Sequence, residues 1–70
     1  MLNQFTSGQF CYWINKMDIS FEEAAELLKV SISTIENYAW GVVDIPPKKA
    51  TECRVFLRLK TERLRNGDIL

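Results

Sequence analysis

The sequence predicts an all-α fold, a compact domain of four to five helices formed by residues 1–70. Three observations predict it. Apolar residues recur at intervals of three and four, as they do on the buried side of a helix. Ser and Thr residues stand ahead of these apolar segments, where N-caps are expected. The chain is 47% hydrophobic and has only three glycines and two prolines, which excludes a disordered chain.

The first helix is predicted to run from an N-cap at Thr6 or Ser7 to about Met17. Asp18 then interrupts the pattern. The apolar residues that recur at helical spacing in this segment are Phe10, Trp13, Ile14 and Met17.

The second helix is predicted to begin after Ser20, which forms a capping box with Glu23. In that motif the serine hydroxyl accepts from the Glu23 amide, and the glutamate carboxylate accepts from the serine amide. The apolar face of this helix comprises Ala24, Ala25, Leu27 and Leu28.

A third helix is predicted after a break at residues 29–31, with Ser31 as its N-cap. Ile35 and Tyr38 are three residues apart, so they are expected to point inward together. Gly41 suits the left-handed position that ends a helix.

The last helix is predicted to begin at Pro46 and Pro47, which suit a first helical turn, and to end at Asn66-Gly67. Its apolar stripe is expected to comprise Ala50, Cys53, Leu57 and Leu64, broadened by Val55, Phe56 and Leu59.

Composition argues against several functional classes. The chain has no His, no glycine-rich phosphate loop and no nucleophile motif, so we expect no enzyme and no cofactor. Cys11 and Cys53 lack metal-ligand spacing and are expected to be reduced, buried thiols. We also expect no small-molecule ligand, because no second domain exists to hold one. No signal peptide or membrane span is apparent, so a cytoplasmic location is expected.

The most informative segment is Phe21 to Trp40, two short helices joined by about three residues. This is the arrangement of a helix-turn-helix, in which a small residue such as Ala25 lets the helices approach and Val30 fills the space between them. The third helix would then expose the face opposite Ile35. That face comprises Ile32, Ser33, Glu36, Asn37 and Trp40, with Ser31 at its tip.

These residues resemble the helix-turn-helix of the Cro and C1 phage repressor (XRE-type) family, whose fold is lambda-repressor-like. Residues 20–28 (SFEEAAELL) are similar to its scaffold helix, and residues 30–35 (VSISTI) are similar to its turn and the start of its recognition helix. Tyr38, Gly41 and the two prolines match residues that tend to follow. Residues 24–28 (AAELL) also resemble the small regulators encoded beside anti-CRISPR genes.

The resemblance implies a small phage or prokaryotic repressor that binds palindromic operator DNA as a homodimer. The sequence departs from the family at Lys29, where glycine is usual. It departs again at Trp40 and at Val42 and Val43, where polar or basic residues often contact phosphates. We expect Trp40 to pack in the core or at its edge.

Two kinds of DNA contact are predicted. Asn37 can bind adenine through both ends of its amide, Ile32 can contact a thymine methyl, and Glu36 can accept from cytosine. Each also has a simpler interpretation, because Asn37 and Glu36 on an exposed face are ordinarily just solvated. The remaining candidates are Ser31 and Ser33, expected near phosphates or base edges, and Lys48 and Lys49, expected at phosphates.

The charge pattern keeps a second function open. The net charge is zero, but residues 21–41 carry four glutamates against Lys29 alone, whereas residues 42–70 carry seven basic side chains against four acidic ones. DNA affinity depends on cations at phosphates, so the acidic second helix also fits a protein-interaction module that binds no DNA, such as an inhibitor or adaptor.

Self-association is predicted on either interpretation. Four short helices cannot enclose all the large apolar side chains of this chain. A surplus stripe on the last helix, or the terminal Ile69-Leu70, is therefore expected to contact a second copy. A two-fold dimer would place two recognition helices about 34 Å apart on DNA.

Overall fold

The computed structural model describes the backbone of residues 5–69 and side chains as far as Glu62. It contains α1 (Ser7–Met17), α2 (Phe21–Leu28), α3 (Ile32–Trp40) and α4 (Pro47–Ile69), and no strand occurs within residues 5–69. The all-α prediction is confirmed, with four helices. The predicted stop at Asn66-Gly67 is wrong, because α4 passes through both residues to Ile69.

The first three helices begin at side-chain N-caps. Thr6, Ser20 and Ser31 have extended backbones, and each hydroxyl accepts from the amide three residues on, at 3.1 Å. The capping box at Ser20 is confirmed. Gln9 forms a second box by accepting from the Thr6 amide at 2.8 Å, which the sequence analysis did not anticipate. These bonds satisfy amide groups that have no partner inside the helix.

The same three helices end at residues in the left-handed conformation. Gly41 has φ 77°, as predicted, whereas Asp18 and Lys29 adopt φ 59° and 58° with ordinary side chains. A residue with a Cβ pays a steric cost in this region. The chain therefore turns sharply after α1 and after α2 at two positions where glycine would fit with less strain.

The core lies between α1, α2 and α3, and α4 closes it by packing against α1 and α2. Phe10 is fully buried, and its ring centroid lies 5.6 Å from those of Trp13 and Tyr38. Ile45 joins the core from the α3–α4 connection. The buried hydrophobic residues are Phe10, Trp13, Ile14, Met17, Ala24, Ala25, Leu28, Ile35, Tyr38, Ile45, Ala50 and Cys53.

Two lysines of α4 attach it to the ends of other helices. The Lys49 ammonium donates to the Leu28 carbonyl at 2.6 Å, and the Lys60 ammonium donates to the Met17 carbonyl. The last carbonyls of a helix have no partner inside it and carry the negative end of its dipole, so a cation stabilises them. Each lysine therefore fixes α4 against the carboxyl end of α2 or α1.

The packing expectations for Val55, Leu59 and Cys11 are wrong. Val55 and Leu59 do not broaden the buried stripe of α4, since they are 46% and 55% exposed, while Phe56 is half-buried. Cys11 is exposed and only Cys53 is buried; both thiols are free. The side chain of Leu64 and the Ile69-Leu70 contact lie outside the described residues.

Substitution of Lys29 by glycine tests the cost of the left-handed turn. Lys29→Gly is expected to raise the free energy of unfolding by about 0.5–1 kcal/mol, because glycine adopts φ 58° without a Cβ clash. Chemical denaturation measures the change. Lys29→Ala is the control and should give no such gain, since alanine keeps the Cβ. Equal gains in both variants would contradict the explanation.

The buried thiol of Cys53 predicts a loss of stability in alkali. Burial, with a smaller effect from the Glu52 carboxylate, raises the pKa of this thiol from 9.0 to about 12. The folded state keeps the thiol neutral while the unfolded chain ionises it, so the free energy of unfolding should fall as pH rises from 9.0 towards 12.

Urea unfolding across that pH range, with Cys53→Ala as the comparison, isolates the contribution of the thiol to the free energy of unfolding. The wild type should lose more stability with rising pH than the variant. Parallel curves for the two proteins would show that the thiol makes no contribution.

Candidate nucleic-acid interface

The packing of α3 decides which of its faces is free. Ile35 is fully buried and Tyr38 is 5% exposed, and both lie against the core formed with α1 and α2. The opposite face carries Ile32 and Ser33, which are exposed, and Glu36, which is half-buried. The structure therefore brings the predicted α3 residues together on one accessible surface.

Ser31 lies at the amino end of this surface and caps α3. Its hydroxyl accepts from the Thr34 amide at 3.1 Å and lies 2.9 Å from the Thr34 hydroxyl. The N-cap prediction is confirmed. The residue is exposed, so the hydroxyl keeps an accessible side while it caps α3.

Asn37 lies at one edge of the same surface, on the side nearer Tyr38, and is half-buried. Its backbone carbonyl accepts from the amides of Val42, at 2.9 Å, and Val43, at 3.4 Å, which closes the end of α3. Within the described part of the chain its side-chain amide makes no hydrogen bond. The donor and the acceptor of this amide are both unused, as bidentate binding of an adenine edge would require.

Lys48 and Lys49 differ although they are adjacent. Lys48 is exposed at the start of α4. The Lys49 ammonium is committed to the Leu28 carbonyl and lies 3.4 Å from the Glu52 carboxylate. A phosphate contact by Lys49 would have to replace these interactions, whereas Lys48 is free to make one.

An apolar patch lies at the carboxyl end of α3, formed by Trp40, Val42 and Val43. Trp40 and Val42 are each 68% exposed and Val43 is 47% exposed. The prediction that Trp40 packs in the core or at its edge is wrong. The reason is its position on α3: Trp40 comes two residues after the buried Tyr38 and so lies on the opposite side of the helix. The continuous apolar run on both sides of Gly41 was the available signal.

The surface of α3 carries little positive charge with which to attract DNA. Residues 30–43 contain no Lys or Arg, and Glu36 is their only charged side chain. Positive potential near α3 must therefore come from the helix amino end after Ser31 and from cations outside residues 30–43, such as the exposed Lys29 and Lys48. The described residues contain no cluster of three groups suited to a metal ion.

Comparison of the chain with protein-family models, curated proteins and solved structures gives no match. Within the described residues, the helices also lack a segment of the length and apolarity needed to cross a membrane. The function proposed below therefore depends on the geometry of α3 and on the residues around it.

The contrast between the two lysines can be tested without any ligand. Lys49→Ala is expected to lower the free energy of unfolding by about 1–2 kcal/mol, because it leaves the Leu28 carbonyl without its charged donor. Lys48→Ala is the matched control and should change stability by less than about 0.5 kcal/mol. Thermal and urea unfolding measure both; equal losses would contradict the assignment.

Proposed function

We propose that the chain is a sequence-specific DNA-binding regulator, in which α2, the turn at residues 29–31 and α3 form a helix-turn-helix. The single observation that carries the proposal is the accessible face of α3, where Ile32 and Ser33 are exposed and the side-chain amide of the half-buried Asn37 makes no hydrogen bond among the described residues. The turn that joins α2 to α3 is short and fixed at both ends, by Lys29 in the left-handed region and by the Ser31 cap.

In this proposal α3 enters the major groove. Asn37 would bind an adenine edge, and Ile32 would contact a thymine methyl. Ser31 and Ser33 would contact phosphates or base edges close to the helix start, where the backbone amides favour an anion. Glu36 would accept from a cytosine amino group or exclude sites that lack one.

Phosphate contacts would be few. Lys48 is the exposed cation at the start of α4, and Lys49 is bound to the end of α2. We therefore propose modest non-specific affinity, with a homodimer doubling the contacts on a palindromic site. The simplest regulatory role is a small Cro-like repressor, phage or prokaryotic, that acts in the cytoplasm by blocking polymerase.

A second function is favoured by a different observation. The apolar patch at the end of α3 is exposed and consists of Trp40, Val42 and Val43. In a protein that binds phosphates at this position, polar side chains would make stronger contacts. Aromatic residues are enriched where proteins bind proteins. The alternative is an inhibitor or adaptor that keeps the helix-turn-helix shape and uses this patch to bind a protein.

Selection of binding sites from a random-sequence duplex pool, followed by anisotropy titration, distinguishes the two functions. The wild type is expected to enrich a preferred site and to bind it less tightly as salt rises. Asn37→Ala should weaken binding to that site by about 1–3 kcal/mol and relax the sequence preference at one base pair. Asn15→Ala, an exposed asparagine of α1, is the matched control and should bind normally.

Lys48→Ala should instead weaken binding to all duplexes by a similar factor. It should also reduce the slope of log affinity against log salt concentration by about one per protomer. Failure to enrich any site would contradict DNA recognition and favour the protein-binding alternative. Unchanged site preference in Asn37→Ala would overturn the assignment of Asn37 even if DNA binding survives.

A further inference from the structure

An open groove lies along one side of α2. It is lined by Ile19, Glu23, Glu26 and Leu27 and has a volume of about 360 Å³, which is at the lower end of the range for binding sites. Ile19 and Leu27 are half-buried and form the apolar floor of the groove, whereas Glu23 and Glu26 are exposed and form its rim. The groove therefore combines an apolar floor with an acidic edge.

The position of the groove follows from the turn of the helix. Glu23 lies three residues before Glu26 and four before Leu27, so these residues share one side of α2. Ala25 lies two residues from both Glu23 and Leu27, on the opposite side of α2, and is buried in the core. The groove shares no residue with the outward surface of α3, so its occupation leaves that surface accessible.

The segment around the groove carries negative charge without cations in the same segment. Residues 18–28 contain one Asp, three Glu and no Lys or Arg, and neither ion pair of the described residues includes any of them. One oxygen of Glu23 accepts from the Ser20 amide at 2.8 Å, which leaves the other oxygen accessible. Glu22 and Glu26 are four residues apart and of like charge, so they repel each other along the helix.

This charge decides which kind of ligand the groove fits. A neutral apolar ligand would remove water from the carboxylates without compensating them, which costs free energy. A nucleic acid would bring its phosphates next to Glu23 and Glu26. A ligand with both apolar and positively charged parts covers the floor of the groove and compensates its rim.

We infer that the groove binds a basic amphipathic helix of another protein. Such a helix carries apolar residues at intervals of three and four on one side, and these lie on Ile19 and Leu27. Lysine or arginine residues beside that apolar stripe reach Glu23 and Glu26, which are about 4.5 Å apart along the axis of α2. Because α2 has eight residues, the contact is about 12 Å long, which is about two turns of the partner helix.

The floor and the rim contribute differently to binding. Exposed ion pairs add little free energy, so the affinity comes chiefly from covering Ile19 and Leu27. The carboxylates attract basic partners and exclude acidic ones. This inference goes beyond DNA binding and does not depend on it. The groove is also separate from the apolar patch at the end of α3, which the alternative function uses.

Titration with a synthetic peptide tests the inference. The probe is an amphipathic helix of Leu, Lys and Ala, with its leucines at intervals of three and four. Calorimetry should show saturable one-to-one binding that weakens as salt rises. The same peptide with serine in place of leucine, or with glutamate in place of lysine, should bind at least about tenfold more weakly. Absence of saturable binding, or equal binding of either control peptide, would overturn the inference.

A pair of variants locates the site on the protein. Glu26→Lys should raise the dissociation constant of the Leu/Lys peptide by about tenfold, because it reverses the charge at the rim. Glu62→Lys is the matched control, since it makes the same change of charge at an exposed residue of α4 outside the groove. It should change the dissociation constant by less than about twofold. Circular dichroism establishes that both variants are folded, and equal effects of the two would contradict the assignment.

Two further measurements distinguish the groove from other contacts. In nuclear magnetic resonance spectra the peptide should shift the amide signals of Ile19, Glu26 and Leu27. Shifts centred on Val42 and Val43 would place the peptide on the α3 patch and overturn the inference. Without peptide, Glu26→Lys should sediment as the wild type does. Loss of self-association in this variant alone would show that a second copy occupies the groove, which also overturns the inference.

Discussion

The contact on which the structure most depends is the burial of one side of α3 against Phe10. The Tyr38 ring meets Phe10 edge-on at 80° with centroids 5.6 Å apart, and Ile35 is fully enclosed beside them. A helix of nine residues has little stability of its own, so tertiary packing must hold it. The same contact sets the rotation of α3, and hence determines that Ile32, Ser33 and Asn37 face outward.

The helix ends and the outward face of α3 could be predicted from the sequence, because each depends on residues close together in the chain. An N-cap needs a hydroxyl followed by helix-forming residues, so Ser20 and Ser31 were identified correctly. The left-handed end at Gly41 follows from the residue type. Ile35 and Tyr38 share a face because their spacing fixes it. The positions of the predicted recognition residues on one accessible surface follow from the same spacing.

What could not be predicted depends on distant parts of the chain. The bond from Lys49 to the Leu28 carbonyl joins residues 21 positions apart, and nothing near Lys49 distinguishes it from Lys48. Trp40 is as large and apolar as a core residue, and whether a distant segment covers it cannot be determined from its neighbours in sequence; it is 68% exposed. Val55 and Leu59 fit the apolar period of α4, but a single helix cannot bury residues around its whole circumference. A short segment of sequence therefore predicts which residues are helical better than it predicts which residues those helices contact.

The two lysines of α4 also have a consequence for how the molecule folds. The carboxyl ends of α1 and α2 receive their charged donors, Lys60 and Lys49, from a helix that comes later in the chain. The Met17 and Leu28 carbonyls have no lysine donor until α4 packs against α1 and α2. We therefore expect all-or-none unfolding, in which the early helices do not persist once the last helix has separated. A fragment that stops before Pro47 would lack both donors and the buried α4 residues Ala50 and Cys53.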